Sequence, residues 1–175
     1  MLEFGGLCLA VRPSGKSVPW RMSGHRIRLA GQADAAALGR LLHRFNSEYE
    51  EQTPDAETLA NHYGTLLERG EVVALLGGEG PDGFVQLRLR NSHYTGEPDA
   101  YVEELYVVPE RRGEGLGRAL LEAVMEAARE RGATHIDLTT SEADTEALGL
   151  YESAGFTNRE GRPDGPVMLY FERDL

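Results

Sequence analysis

The sequence predicts a single mixed α/β (α+β) domain. Three observations lead there. Short runs with strand alternation or strand-length apolar character recur along the chain. One long helix is strongly amphipathic, and a glycine-rich turn feeds directly into it. The expected order is strand, two helices, three strands, helix, strand, helix and closing strands, which suits helices packed on one central sheet.

The elements follow in order. Residues 25–30 alternate, with Ile27 and Leu29 on one face. Asp34 is placed to cap a helix over 35–49, where Leu38, Leu41, Leu42 and Phe45 fall at helical spacing. Thr53-Pro54 breaks it, and 55–69 forms a second helix that Gly70 ends. Residues 72–76 read as a strand, 77–83 as a turn, and 84–90 as a strand with one buried face. In that strand Phe84, Gln86, Arg88 and Arg90 alternate against Val85, Leu87 and Leu89. A polar connection leads to the strand 101–108. Leu116, Ala119, Leu120, Ala123, Val124 and Ala127 then mark the amphipathic helix, stopped by Gly132. Residues 135–140 form a strand. Ser141 with Asp144 resembles a capping box for a helix that Gly155 ends. Two last strands are expected at 156–158 and 167–172.

Bulk properties exclude several functions. Eighteen basic and 29 acidic residues leave a formal net charge of −11. Such a surface repels nucleic acid and anionic lipid, and it is compatible with a cationic amine. No apolar run approaches the roughly 20 residues of a membrane span. Cys8 is the only cysteine. An intrachain disulfide and a Cys-based zinc site are therefore excluded, and a reducing cytoplasm is the simplest compartment. His25, His43, His62, His93 and His135 show no metal-ligand spacing, so no metal is expected. Residues 1–21 differ in texture from the rest and read as an N-terminal extension, with the domain over 22–175.

The chemistry concentrates at Arg112, Gly113, Glu114, Gly115, Leu116, Gly117 and Arg118. A strand, a glycine turn and a helix N-terminus meet there. The first N–H groups of a helix lack intrahelical partners, and the helix dipole favours negative charge. Glycines let main chain approach a ligand closely, and Arg112 adds a cation suited to phosphate. The expected ligand is a pyrophosphate. A dinucleotide motif fits poorly: Asp137 stands where a ribose-binding acid would be, but the third glycine of Gly-x-Gly-x-x-Gly falls on Arg118.

Three segments in this order resemble the GNAT superfamily of acyl-CoA-dependent N-acetyltransferases. Arg112, Gly115 and Gly117 fit Gln/Arg-x-x-Gly-x-Gly/Ala. Glu103-Glu104-Leu105-Tyr106-Val107-Val108-Pro109 resembles the family's fourth strand and its exit. Residues 147–156, ALGLYESAGF, resemble Ala-x-x-x-Tyr-x-x-x-Gly-Phe. The resemblance spans about 25–171 and is strong over 101–156. It implies a largely antiparallel sheet of about six to seven strands with a splayed fourth and fifth pair, flanked by about four helices.

The same resemblance implies acetyl-CoA as co-substrate. Its pyrophosphate would lie on the amides of 112–118, and its pantetheine arm would run along Leu105, Tyr106 and Val107. The family's general acid matches Tyr151, which would protonate the departing thiolate. Asp144 stands where many members carry an asparagine that contacts the pantetheine. A carboxylate on the fourth strand often serves as base, and Glu103 and Glu104 both lie there. Simple alternation puts them on opposite faces, and Glu103, sharing a face with Tyr101, Leu105 and Val107, is preferred. Asn46, Glu48, Tyr49, His93 and Tyr94 fall where the fold walls its acceptor site. The implied activity is direct acetyl transfer to a primary amine of a small, cationic molecule. A non-catalytic acyl-CoA sensor and a protein N-terminal or lysine acetyltransferase are the competing readings, and a homodimer is compatible with the family.

Overall fold

A computed structural model describes residues 20–22 and 24–173. Cys8 and most of the expected extension lie outside the described residues, and its expected junction with the domain falls inside the first strand. Six strands form one sheet in chain order: β1 (Trp20–Met22), β2 (His25–Leu29), β3 (Val73–Gly77), β4 (Gly83–Asn91), β5 (Pro98–Val107) and β6 (His135–Leu138). Neighbours pair antiparallel except β5 and β6. That parallel pair needs a crossover, supplied by α3 (Leu116–Arg129).

Both faces of the sheet are covered. Val85, Leu87 and Val102 pack against Leu120, Ala123 and Val124 of α3. Ala74, Leu76, Phe84 and Tyr106 on the other face pack with Leu38 and Leu41 of α1 (Ala35–Glu48) and Tyr63 of α2 (Ala56–Arg69). The expectation of one buried face on 84–90 is corrected accordingly: the inner half of β4 is buried on both sides because helices sandwich it. At Gly39, α1 and α2 cross so closely that a Cβ would lie 2.5 Å from the Ala56 carbonyl oxygen and the Ala60 nitrogen.

Local signals set most boundaries. Asp55 caps α2, accepting from the Thr58 amide at 2.7 Å. Two expected caps are corrected. Asp34 closes a short 3-10 turn, and its carboxylate goes to Arg28 at 2.6 and 2.7 Å and to the Gly31 amide at 2.9 Å, leaving α1 without a side-chain cap. Helix α4 (Thr145–Ser153) is capped by Asp144, which accepts from the Ala147 amide at 2.9 Å, while Ser141 accepts from Ala143.

The two closing strands are also corrected. Residues 156–158 and 167–172 do not join the sheet. Around them one bridge forms, Arg159 to Val167, flanked by bonds from the Met168 amide to the Asn158 carbonyl at 2.8 Å and from the Glu160 amide to the Pro166 carbonyl at 3.0 Å. The apolar run at 167–171 reads as a strand, but ladder pairing needs a neighbouring edge, and here those side chains stay 45–85% exposed.

Candidate functional site

The parallel ladder between β5 and β6 ends early. Its last paired residues are Val102 and Leu138, while β5 continues to Val107. The two strands therefore part beyond Val102, as the expected splay requires. Leu105, Tyr106 and Val107, paired with β4 on one edge, have no β6 partner on the other, and the strand leads through a 3-10 turn at Pro109–Arg111 into the glycine turn.

At that turn Gly115 adopts φ 87°, a left-handed conformation, and opens α3 without any side-chain cap. The amides of 113–118 donate to no protein oxygen among the described residues. The Arg112 amide, grouped with them by sequence, is bonded to the Pro109 carbonyl at 3.2 Å. The turn thus aims a row of free donors and a positive dipole end at one place.

The turn's cations are engaged. Arg112 pairs with Glu48 at 2.7 Å, donates through Nε to the Val107 carbonyl at 3.0 Å, and lies over the Tyr106 ring. The Arg112 guanidinium beside Glu48 holds that carboxyl below its usual range, and burial with the Glu48 charge pushes the Tyr106 phenol up to about 12. Arg112 therefore ties the exit of β5 to the end of α1 instead of standing free for an anion. Arg111 pairs with Glu114 at 3.0 Å. Arg118 donates to Ser153 Oγ on α4 at 2.6 Å and has no acidic partner among the described residues.

The two glutamates are not arranged as alternation predicts. Gln86 of β4 faces Glu104 and Leu87 faces Val102, leaving Glu103 as an extra residue in a β-bulge. Directly opposed residues share a face. Glu104 therefore lies on the Gln86 face. Glu103 lies there too, because it accepts from Gln86 Nε2 at 3.2 Å and Arg88 Nε at 2.6 Å. Leu105 and Val107 belong to the α3 side. The expected common face of Glu103, Leu105 and Val107 is corrected: the bulge shifts the alternation by one residue, so both carboxylates face the α1/α2 layer.

Their environments differ sharply. Glu103 is ion-paired with Arg88. Glu104 has no donor among the described residues, and burial, then the charges of Glu103 and Glu51, push its carboxyl up to about 7. Tyr151 on α4 packs against the α3-side core with its ring 6.0 Å from Phe156. Burial, then the charges of Asp144 and Glu104, push its phenol up to about 12. Asp144 has its carboxylate committed to capping α4.

Of the expected acceptor-wall residues, Glu48 is tied to Arg112, and Asn46 donates to Thr53 Oγ1 at 3.0 Å. Tyr49 packs its ring on Phe45. His93 and Tyr94 contact each other at the tip of the β4–β5 hairpin. Sequence reasoning missed Tyr63, Gln86 and Arg88 as site neighbours. The signal was the run of polar side chains at alternate positions of β4, facing the strand that carries the glutamates. Among the described residues no group of three or more His, Cys, Asp and Glu is placed to hold a metal ion, and no helix is long and apolar enough to cross a membrane.

Comparison with known proteins places this geometry. The model of the acetyltransferase (GNAT) family matches residues 36–156. An uncharacterised N-acetyltransferase of Bacillus subtilis is 31% identical over 137 residues, covering 77% of this chain and 91% of that protein. The aminoglycoside N(6')-acetyltransferase type 1 of Stenotrophomonas maltophilia is 30% identical over 142 residues, covering 77% and 87%. A crystal structure described as that of an acetyltransferase from Arthrobacter sp. FB24 superposes with TM-score 0.79 at 40% identity, covering 92% of this chain and 99% of that one. The chain therefore belongs to the GNAT family of acetyltransferases and is an acyltransferase enzyme.

Proposed function

We propose that this enzyme moves an acetyl group from acetyl-CoA directly to a primary amine of a small, cationic molecule. One observation carries the reading: β5 runs on past its partner β6 to a turn whose amides at 113–118 have no acceptor among the described residues. An unpaired strand edge suits the amides of a pantetheine arm, and the free donors suit a pyrophosphate. The bound thioester supplies an activated acyl group. Leu105, Tyr106 and Val107 line its path, and Arg118 is the cation best placed to add to the amides of Gly113, Glu114, Gly115, Leu116 and Gly117. Arg112 supports the turn from behind through Glu48.

In this reading Glu104 is the base and Tyr151 the acid. Lysine-like ammonium groups have pKa values near ~10, so a proton must leave before attack. A half-buried carboxyl near 7, without a donor among the described residues, is poised to take it. Glu103, held by Arg88, is less free to do so. The C–N bond forms as the C–S bond breaks. Tyr151, protonated across the working pH range, gives its proton to sulfur. Of the two protons the nitrogen loses, one leaves to solvent through Glu104 and the other restores Tyr151.

The negative charge at Glu51, Glu103 and Glu104 and the likeness to an aminoglycoside acetyltransferase favour a polycationic acceptor. A reducing cytoplasm is the proposed setting. The test is acetyl-CoA-dependent thiol release with kanamycin, spermidine and lysine as acceptors. Release with at least one of the first two, above the lysine rate, is expected. Acetyl-CoA that neither raises the melting temperature nor is consumed with any amine would defeat the proposal.

A further inference from the structure

Gln86 lies buried in the middle of β4, at 7% exposure. A buried amide needs partners, and this one has them on both sides. Tyr63 of α2, itself 3% exposed, donates its hydroxyl to Gln86 Oε1 at 2.6 Å. Gln86 Nε2 in turn donates to Glu103 Oε2 at 3.2 Å, and Arg88 Nε donates to Glu103 Oε1 at 2.6 Å. The bulge at Gln86/Leu87 sets the next carboxylate, Glu104, on the same face.

The chain of donors is one-sided. A tyrosine hydroxyl orients the amide, the amide presents N–H to one oxygen of Glu103, and a guanidinium holds the other. Glu104, one residue along, receives none of this. A carboxyl without donors beside a fixed carboxylate holds its proton more tightly.

Resting on the assignment of Glu104 as base, we infer that Tyr63 and Gln86 are positioning residues. With Arg88 they hold the Glu103 carboxylate in place beside Glu104, the carboxyl that exchanges the proton. Glu103 on its own strand and Glu51 in the connection after α1 bear on Glu104, whose own charge reaches Tyr63 on α2 and Tyr151 on α4. Burial and Glu103 contribute most to its raised position near 7. The tyrosine–glutamine link spans the sheet and α2, so packing of that helix is coupled to the protonation of the base.

The experiment needs no acceptor. Carboxyl carbon resonances of glutamate-labelled full-length protein are titrated from pH 4 to 9, with Glu104 assigned by its loss in Glu104→Gln. In Glu103→Gln the Glu104 step should move to lower pH by about one unit, because a neighbouring negative charge has gone. In Gln86→Leu and Tyr63→Phe it should move the same way by less, because Glu103 swings towards Arg88 and solvent. Tyr63→Phe removes a single oxygen and serves where Gln86→Leu fails to fold. An unmoved step in Glu103→Gln overturns the inference. A step that moves there but in neither Tyr63→Phe nor Gln86→Leu removes both from the positioning role. Thiol release by Glu104→Gln is read separately: retained turnover would overturn the base assignment even where the titrations behave as expected.

Discussion

Arg112 and Glu48 close on each other at 2.7 Å, joining the start of the glycine turn to the last residue of α1. The same guanidinium covers the Tyr106 ring and donates to the Val107 carbonyl. Its charge is already matched, whereas Arg118 has only a serine hydroxyl among the described residues. Arg118→Ala should therefore weaken acetyl-CoA binding about tenfold or more, and Arg112→Ala by less. Calorimetric titration decides; the reverse order would place Arg112 on the ligand. Arg112→Ala should also lower unfolding free energy by about 1–2 kcal/mol, kept small because the pair is partly exposed and screened.

Glu104 makes stability depend on pH with a definite sign. Its folded pKa, about 7, lies above the ordinary 4.5. The folded state then binds more protons than the unfolded state between those values, so this group's contribution is full below about 4.5 and is lost as pH rises through 7. Glu104→Gln should consequently raise the melting temperature relative to the parent at pH 8 and not at pH 4. Equal differences at both pH values would show that burial does not strain the carboxylate.

Tyr151→Phe keeps the ring contact with Phe156 and removes only the hydroxyl. Turnover should fall about 10²-fold with the acetyl-CoA-induced melting shift preserved. With the phenol near 12, no loss of activity traceable to Tyr151 should occur below about pH 10. Undiminished turnover would dismiss it as the acid.

The turn can be probed by two alanines. Gly115 has φ 87°, so Gly115→Ala should cost about 1 kcal/mol or more in a denaturant titration. A Cβ on Gly117 would sit 3.6 Å from Leu150 and 3.8 Å from Val107, ordinary contact distances. Gly117→Ala should leave stability unchanged or raise it by up to about 1 kcal/mol. Similar losses at both positions would contradict the described turn.

Helix α3 and its turn were legible because their evidence is local: apolar spacing at 3–4 residues, three glycines, and a preceding apolar strand. Helix α2 was legible through Asp55 and Gly70 for the same reason. The closing strands at 156–158 and 167–172 were misread because apolar content marks a segment that could pair, while pairing itself depends on a distant edge.

By itself, then, the sequence determined the helices, the strands β2 to β6 before the closing segments, and the glycine turn ahead of α3. Each of these elements follows from residues close together along the chain. Only the tertiary structure decided that Arg112 would be spent on Glu48, that a bulge would bring both glutamates to one face, and that Tyr63 and Gln86 would reach Glu103. Those outcomes join residues 17 to 64 positions apart. A one-residue slip in strand register, invisible to alternation, reverses which side chains meet.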